Sequence, residues 1–189
     1  MEALGRLDLY PQDLRGVIDT IAPWVQDQLN SGVYKAGFAS EQSVYEEHVI
    51  RVFGALNRLE ELIHANGGPY ALGKRLTELD IRVYVTVVRF DMVYHQHFKC
   101  NLGSIRHDYP VLNAWLRHLH WDVPGFQETT VPKHIKEDVS TPPPRWPSLL
   151  DIHPIQKPCG RVRAVDLMVV KQSGENRAYE IEILWEIEE

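Results

Sequence analysis

His95, His97 and Cys100 fall within six residues of one another, with His107 close behind. Imidazole and thiolate suit zinc, so a metal site is the first chemistry to weigh. The spacing matches no strong zinc signature, and a structural site needs a fourth, well-placed ligand. Nine histidines are scattered along the chain, so surface and capping roles are the better reading and no metal is expected. Adjacent sequence gives no geometric support to the same cluster as a Cys–His nucleophile pair. Cys159 lies in Lys157-Pro-Cys-Gly-Arg161, where neighbouring cations would lower a thiol pKa, but its Pro-rich setting reads as an incidental exposed cysteine. No phosphate-binding loop, dinucleotide fingerprint, nucleophile elbow or zinc-protease helix occurs. No catalytic residue is assigned.

Two tyrosines are better candidates. Tyr34 sits in the Gly-flanked stretch Gly32-Val-Tyr-Lys-Ala-Gly37, and Tyr94 closes a hydrophobic segment that also carries Arg89. A phenol so placed can donate to a phenolic or carbonyl oxygen of a ligand. The competing reading is a tyrosine that caps or packs. Trp24, Trp115 and Trp121 are expected to fill the core.

The elements that must hold these residues are mostly helical. From Pro11, Leu14, Val17, Ile18, Ile21, Trp24, Val25 and Leu29 recur at the spacing of a helix with one buried stripe. Pro23 is expected to kink it or remove one hydrogen bond. Asn30–Ala39 reads as a loop. Ser40 is a plausible N-cap for the longest helix, with Tyr45, Val49, Val52, Leu56, Leu59 and Ile63 along its seam and Gly67-Gly68 as its stop. Ile81–Val88 is β-branched and by propensity a strand. Thr77-Glu-Leu-Asp80 nevertheless places a hydroxyl and a carboxylate as a capping box does, and the apolar run reaches Val93, so a buried central helix is predicted. Pro110 opens a shorter helix as an N1 residue, and Pro124-Gly125 stops it. Residues 1–139 are thus a bundle of five or six helices.

Six of the 12 prolines fall between Pro142 and Pro158, which marks a boundary and a Pro-rich linker. Beyond it the period changes to two: Tyr179, Ile181, Ile183, Trp185 and Ile187 alternate with mostly acidic residues, and Ser173-Gly-Glu-Asn176 supplies a turn. A β-hairpin in residues 140–189 is predicted. A 44% hydrophobic content excludes wholesale disorder, and a net charge of −6 argues against nucleic-acid binding. No run of 18 apolar residues predicts a membrane span. Two cysteines and no apolar leader make a reducing, cytoplasmic setting the expectation.

Thr77-Glu-Leu-Asp80 opening a hydrophobic helix resembles the capping box in the helical domain of glutathione transferases. More specific are Gly32-Val-Tyr-Lys-Ala-Gly-Phe-Ala39, Arg89-Phe-Asp-Met-Val-Tyr94, His97-Phe-Lys-Cys-Asn101, and Tyr109-Pro followed by Trp115-Leu-Arg. Together they resemble the glutathionyl-hydroquinone reductases, the omega-like or Xi class of glutathione transferases, from about Leu7 to Lys136. The resemblance implies a mainly α fold, a glutathione transferase C-terminal-type bundle over 1–139, with 140–189 departing from the family's pattern.

It also implies a reaction. Family members use a cysteine to take glutathione off a glutathionyl-hydroquinone, and a second glutathione releases the enzyme. That cysteine stands in a Cys-Pro motif of an N-terminal thioredoxin-like domain, which this chain is expected to lack, so the chain alone is expected to be inactive. Cys100 belongs to the family's Phe-Lys-Cys-Asn stretch and not to the catalytic position. By resemblance Tyr34 and Tyr94 bind substrate, orienting the hydroquinone ring and its oxygens, while Lys35, His97 and Lys99 at most rim the pocket. Glutathione is implied as co-substrate, with no cofactor held by the chain itself, and a homodimer through the helical domain is implied as the assembly. The alternative is a non-catalytic helical interaction module.

Overall fold

The computed structural model describes residues 7–140 and the backbones of two strands at 169–172 and 179–182. Helix α1 (Arg15–Trp24) buries Ile18 and Ile21 and carries Pro23 in its last turn. Directly afterwards the helix widens into a π turn, Val25–Asn30, which buries Val25 and Leu29. The predicted stripe is therefore the buried one, although Val17 stays 45% exposed.

Asn30–Ala39 is not a loop. Gly32–Gly37 forms a short helix, α2. Its glycines look like chain-reversal signals in the sequence, but Gly37 is there for close approach. A Cβ on it would lie 2.3 Å from Cγ of Phe98. Helix α3 (Gln42–Asn66) is the longest element and buries Tyr45, Val49, Val52, Leu56, Leu59 and Ile63, the predicted seam. Its N-cap is Glu41, one residue later than expected, in extended geometry and with no side-chain capping bond. Gly67 ends it at φ 59°, a left-handed C-cap whose N–H donates to the carbonyls of Ile63 and His64.

The β-branched segment is helix α4 (Glu78–Arg89), so capping overrode strand propensity. The Asp80 carboxylate lies fully buried and accepts four hydrogen bonds. Oδ2 receives the Thr77 N–H and the Thr77 hydroxyl, each at 2.9 Å, and Oδ1 receives Ala71 N–H at 2.7 Å and Trp115 Nε1–H at 3.0 Å. A buried carboxylate is tolerable only when so satisfied. This one ties the turn before α4, the start of α4 and the Trp115 helix together.

Helix α4 runs on as a second π turn, Phe90–Tyr94, and a last helical turn, α5 (His95–His97). Helix α6 (Ile105–Asp108) starts on the Asp91 carboxylate, which accepts from Ile105 and Arg106 N–H at 2.8 and 3.0 Å. Helix α7 (Pro110–Asp122) has Pro110 in its first turn, as predicted, and buries Leu112, Trp115 and Leu119. Glu60 of α3 satisfies its first free donors, Val111 and Leu112 N–H, at 2.8 and 2.6 Å. Helices α8 (Phe126–Thr129) and α9 (Pro132–Ser140) follow, and α9 packs against the second π turn. Of the three tryptophans expected in the core, Trp115 is buried. Trp24 is half-buried beneath the Arg58 guanidinium, 4.1 Å from its ring centre, and Trp121 is 61% exposed.

The chain divides into two compact units, Met1–Pro154 and Ile155–Glu189. In the second, β1 (Val169–Gln172) pairs antiparallel with β2 (Tyr179–Glu182), Val169 opposite Glu182 and Gln172 opposite Tyr179. This is the predicted hairpin. Its predicted turn, the Pro-rich run, Cys159 and the alternation from Ile183 to Ile187 lie outside the described residues. Among the described residues no helix is long and apolar enough to cross a membrane.

Candidate functional site

Helix α4 has two apolar faces. Leu79, Val83, Thr86 and Val87 turn into the bundle. Ile81, Val85 and Val88, spaced i, i+4, i+7, form a second stripe on which Ile81 and Val85 stay 38% and 43% exposed. That stripe is one wall of a cavity of about 650 Å³. The opposite wall comes from the segment between Pro124 and Ile135, with Val93 and Tyr94 of the second π turn, Tyr34 of α2, and Leu7 and Leu9 completing the lining. The expectation that α4 is buried all round is thus corrected. Its surplus apolar residues face a cavity rather than the core.

Tyr34 and Tyr94, sixty residues apart in sequence, meet on this lining with their hydroxyl oxygens 3.0 Å apart. Their rings cross edge to face at 5.6 Å, and Phe98 holds both, stacked on Tyr94 at 5.4 Å and edge-on to Tyr34 at 5.5 Å. The chain beyond Tyr94 is turned back by Lys99, whose φ of 54° is left-handed. A non-glycine residue there costs about 1 kcal/mol. The bonds that hold it include the Tyr45 hydroxyl donating to the Lys99 carbonyl at 2.6 Å, Asn101 N–H donating to the same carbonyl at 2.8 Å, and Cys100 N–H donating to the Tyr94 carbonyl at 3.0 Å.

The two phenols are not equivalent. Tyr94 is almost fully buried and Tyr34 is 43% exposed. Burial pushes the Tyr94 phenol well above the usual tyrosine range, the bond to Tyr34 adds to this, and the Arg89 charge offsets part of it. Tyr94 is therefore a neutral hydroxyl across the physiological range. In a pair of neutral phenols one hydrogen is spent on the partner, and the accepting phenol keeps its own to offer a ligand oxygen.

A second polar station is Tyr84, whose hydroxyl lies 2.8 Å from His120 Nδ1 and 3.0 Å from Thr130 Oγ1. Burial raises its pKa, with the Thr130 bond and the Arg89 charge opposing. Its ring meets Phe126 edge-on at 4.6 Å. Arg89 and His134 also line the cavity. Neither Tyr84 nor the α4 stripe was singled out from sequence, though a helix apolar nearly all round was the signal that could have found them.

The thiol chemistry weighed for Cys100 finds no support in the geometry. Cys100 is completely buried, its Sγ 3.8 Å from the Phe98 carbonyl, and burial pushes its pKa up to about 12. A thiol so placed is protonated and inert at neutral pH. Among the described residues no three His, Cys, Asp or Glu side chains gather to hold a metal ion. Lys35, His97 and Lys99 do not line the cavity. Lys35 instead pairs with Asp27 at 2.6 Å on the surface and holds that carboxyl below the usual range.

Residues 42–118 match the family Glutathione S-transferase, C-terminal domain. The chain carries a glutathione transferase C-terminal domain. It is 53% identical over 130 residues to the glutathione S-transferase omega-like 2 of Schizosaccharomyces pombe, covering 69% of this chain and 42% of that protein. It is 45% identical over 137 residues to the glutathionyl-hydroquinone reductase YqjG of Escherichia coli, covering 71% and 40%. The fold is also similar to the Xi glutathione transferase ECM4 of Saccharomyces cerevisiae in complex with glutathione, with a TM-score of 0.71 and 39% identity over 82% of this chain and 51% of that one. The chain spans less than half the length of these curated relatives. The family match covers residues 42–118 of the bundle, and the cavity also draws on residues before and after that stretch.

Proposed function

We propose that this helical domain, residues 1–139, supplies the hydroquinone-binding half of a glutathione-dependent reductive cleavage of glutathionyl-hydroquinones. The observation that carries the reading is the Tyr34–Tyr94 pair, its hydroxyls 3.0 Å apart at an apolar cavity. Support comes also from similarity to a protein named as a glutathionyl-hydroquinone reductase and to a structure solved with glutathione.

In this reading a thiolate attacks the glutathione sulfur of the substrate. The ring carbon bearing sulfur first takes a proton as a ring hydroxyl gives one up. When the carbon–sulfur bond breaks, its electron pair passes into the ring, restoring aromaticity and leaving charge on the ring oxygen, which is then protonated. The attacking cysteine is left as a mixed disulfide, which a second glutathione opens, releasing oxidised glutathione. Tyr34 and Tyr94 hold the ring oxygens by hydrogen bonds, favouring the tautomer in which the ring carbon can be protonated and stabilising charge on oxygen as the bond breaks. The apolar walls exclude water and fix the ring plane. Cys100 is not the nucleophile, since its thiol is buried with a pKa of about 12. The nucleophile is placed on a thioredoxin-like domain carrying a Cys-Pro motif, a pair absent from these 189 residues.

The reading includes association with a second copy through the helical domain, which light scattering checks, and a cytoplasmic setting where reduced glutathione is supplied. The test of the reaction is thiol transfer from a glutathionyl-hydroquinone by the full chain, alone and mixed with a relative's thioredoxin-like domain. Turnover is expected only in the mixture and only with both tyrosines present. Robust turnover by the chain alone, lost in Cys100→Ser, would overturn the reading.

A further inference from the structure

The cavity has an unusual charge balance for this protein. The chain carries 26 acidic against 20 basic residues, a net charge of −6. Yet among the described residues no Asp or Glu lines the cavity, and the only Lys or Arg there is Arg89. Arg89 sits one turn beyond Val85 on α4, half-buried, with its Nη1 donating to the Val85 carbonyl. Among the described residues it lies within 4.0 Å of no carboxylate, whereas Lys35, Arg51, Arg75 and Arg82 each have one. It lines the same cavity as the phenols Tyr84 and Tyr94, and its charge acts to lower the pKa of both.

A guanidinium on a lining that carries no acid among the described residues, and with no carboxylate there within 4.0 Å of it, is suited to receive an anion. It is always charged, its planar fork matches a carboxylate, and low local polarity strengthens the contact. We propose that Arg89 selects aromatic ligands bearing an anionic oxygen on the ring, a carboxylate above all, while Tyr34 and Tyr94 take the hydroxyls. This rests on the proposed function and names the substrate class within it: hydroquinones with an acidic ring substituent. Arg89 is a specificity-determining residue, not a bond-breaking one. Its position at the base of the Arg89-Phe-Asp-Met-Val-Tyr94 stretch puts it on the same helix as Tyr94, so charge and hydrogen bonds reach one ring from one element.

The test compares two ligands of nearly one shape: gentisate, a hydroquinone with a ring carboxylate, and gentisamide, its neutral counterpart. Each is titrated calorimetrically into the full 189-residue chain at neutral pH without oxygen, and S-methylglutathione is titrated as a third arm. Gentisate is expected to bind at least about tenfold tighter than gentisamide, the ~1.4 kcal/mol of a modest charge-assisted bond. In Arg89→Gln that ratio should fall close to one, and Arg89→Lys should restore part of it. Arg82→Gln, on the same helix but outside the cavity lining, should keep the full ratio, which guards against a general effect of removing a helix charge. Circular dichroism confirms that each variant is folded.

Equal binding of the two ligands by the native chain would overturn the inference, as would a ratio preserved in Arg89→Gln or no binding of either ligand. If S-methylglutathione is the ligand whose binding is lost with Arg89, the charge serves the peptide and the inference likewise falls. Should gentisate preference hold while the reconstituted mixture transfers no thiol, the proposed reaction fails and the receptor stands. Thiol transfer without any charge preference has the opposite meaning.

Discussion

Asp80 and Tyr94 are polar side chains buried along one continuous helical run, and the protein uses them in opposite ways. Asp80 accepts from Thr77 twice, from Ala71 and from Trp115, so every oxygen is committed to holding segments of the bundle together. Tyr94 shares one bond with Tyr34 at the edge of a cavity, and the pair retains a hydrogen for something not yet bound. A saturated buried group stabilises the fold, and an unsaturated one at a cavity is available for chemistry. The two regions should therefore separate under mutation, the first losing stability and the second losing turnover.

The largest effect is expected at the saturated site. Asp80→Ala strands the Trp115, Ala71 and Thr77 donors in the core, and at about 1–3 kcal/mol per buried orphan the loss is on the order of 4 kcal/mol. Urea unfolding of the 189-residue chain measures it, and a loss below about 1 kcal/mol would remove the contrast. At the other site, Tyr94→Phe in the reconstituted thiol-transfer assay should lower kcat about a hundredfold, the usual scale for one well-placed donor. Its stability should change by no more than about 1 kcal/mol. Stability and turnover falling together would mean that Tyr94 belongs with Asp80.

Glu60 lies on the structural side of the comparison. Glu60→Ala removes the acceptor for two N–H groups at the start of α7, and a loss of about 1–2 kcal/mol is expected by thermal melting, with turnover per folded molecule unchanged. Smaller still is the high-pH slope. Burial raises the pKa of Cys100, Tyr94 and Tyr109 in the folded state. Protonated forms are therefore favoured by folding, so stability is full below the unfolded thiol pKa of about 8.5 and declines as pH rises towards 12. Cys100→Val should flatten the first part of that decline in unfolding measured from neutral to alkaline pH. The smallest effect belongs to the exposed Lys35–Asp27 pair, where Lys35→Ala should cost at most about 0.5 kcal/mol.

Much of the bundle was legible in the sequence because its signals are local. The α3 seam, the Gly67 stop, Pro110 at N1 and the Thr77–Asp80 box each declare themselves within a few residues. The box in particular outweighed seven β-branched and aromatic residues within Ile81–Val88 that propensity assigns to a strand. What failed was the reading of residues whose meaning depends on distant partners. Gly37 reads as a loop glycine until Phe98 is seen against it. Trp121 reads as core until the end of α7 is found exposed. Ile81 and Val85 read as surplus core residues until the Pro124–Ile135 segment leaves a space opposite them. Tyr34 and Tyr94 stand out by their setting, a Gly-flanked stretch and the end of an apolar segment, and by motif resemblance, but no spacing rule brings residues sixty apart to one point. Arg89 is in sequence only a charge within a hydrophobic segment, and the lack of acids among the described residues of the cavity lining gives that charge a purpose.

The central claim is that this helical domain itself receives the hydroquinone ring between the α4 stripe and the tyrosine pair. Methyl-resolved NMR of the 189-residue chain, titrated with unsubstituted hydroquinone, tests it directly. Val85, Val88 and Val93 methyl signals should shift saturably while those of the core residues Val49 and Val52 stay in place. Unmoved signals at saturating ligand, or shifts confined to residues away from the cavity, would contradict it.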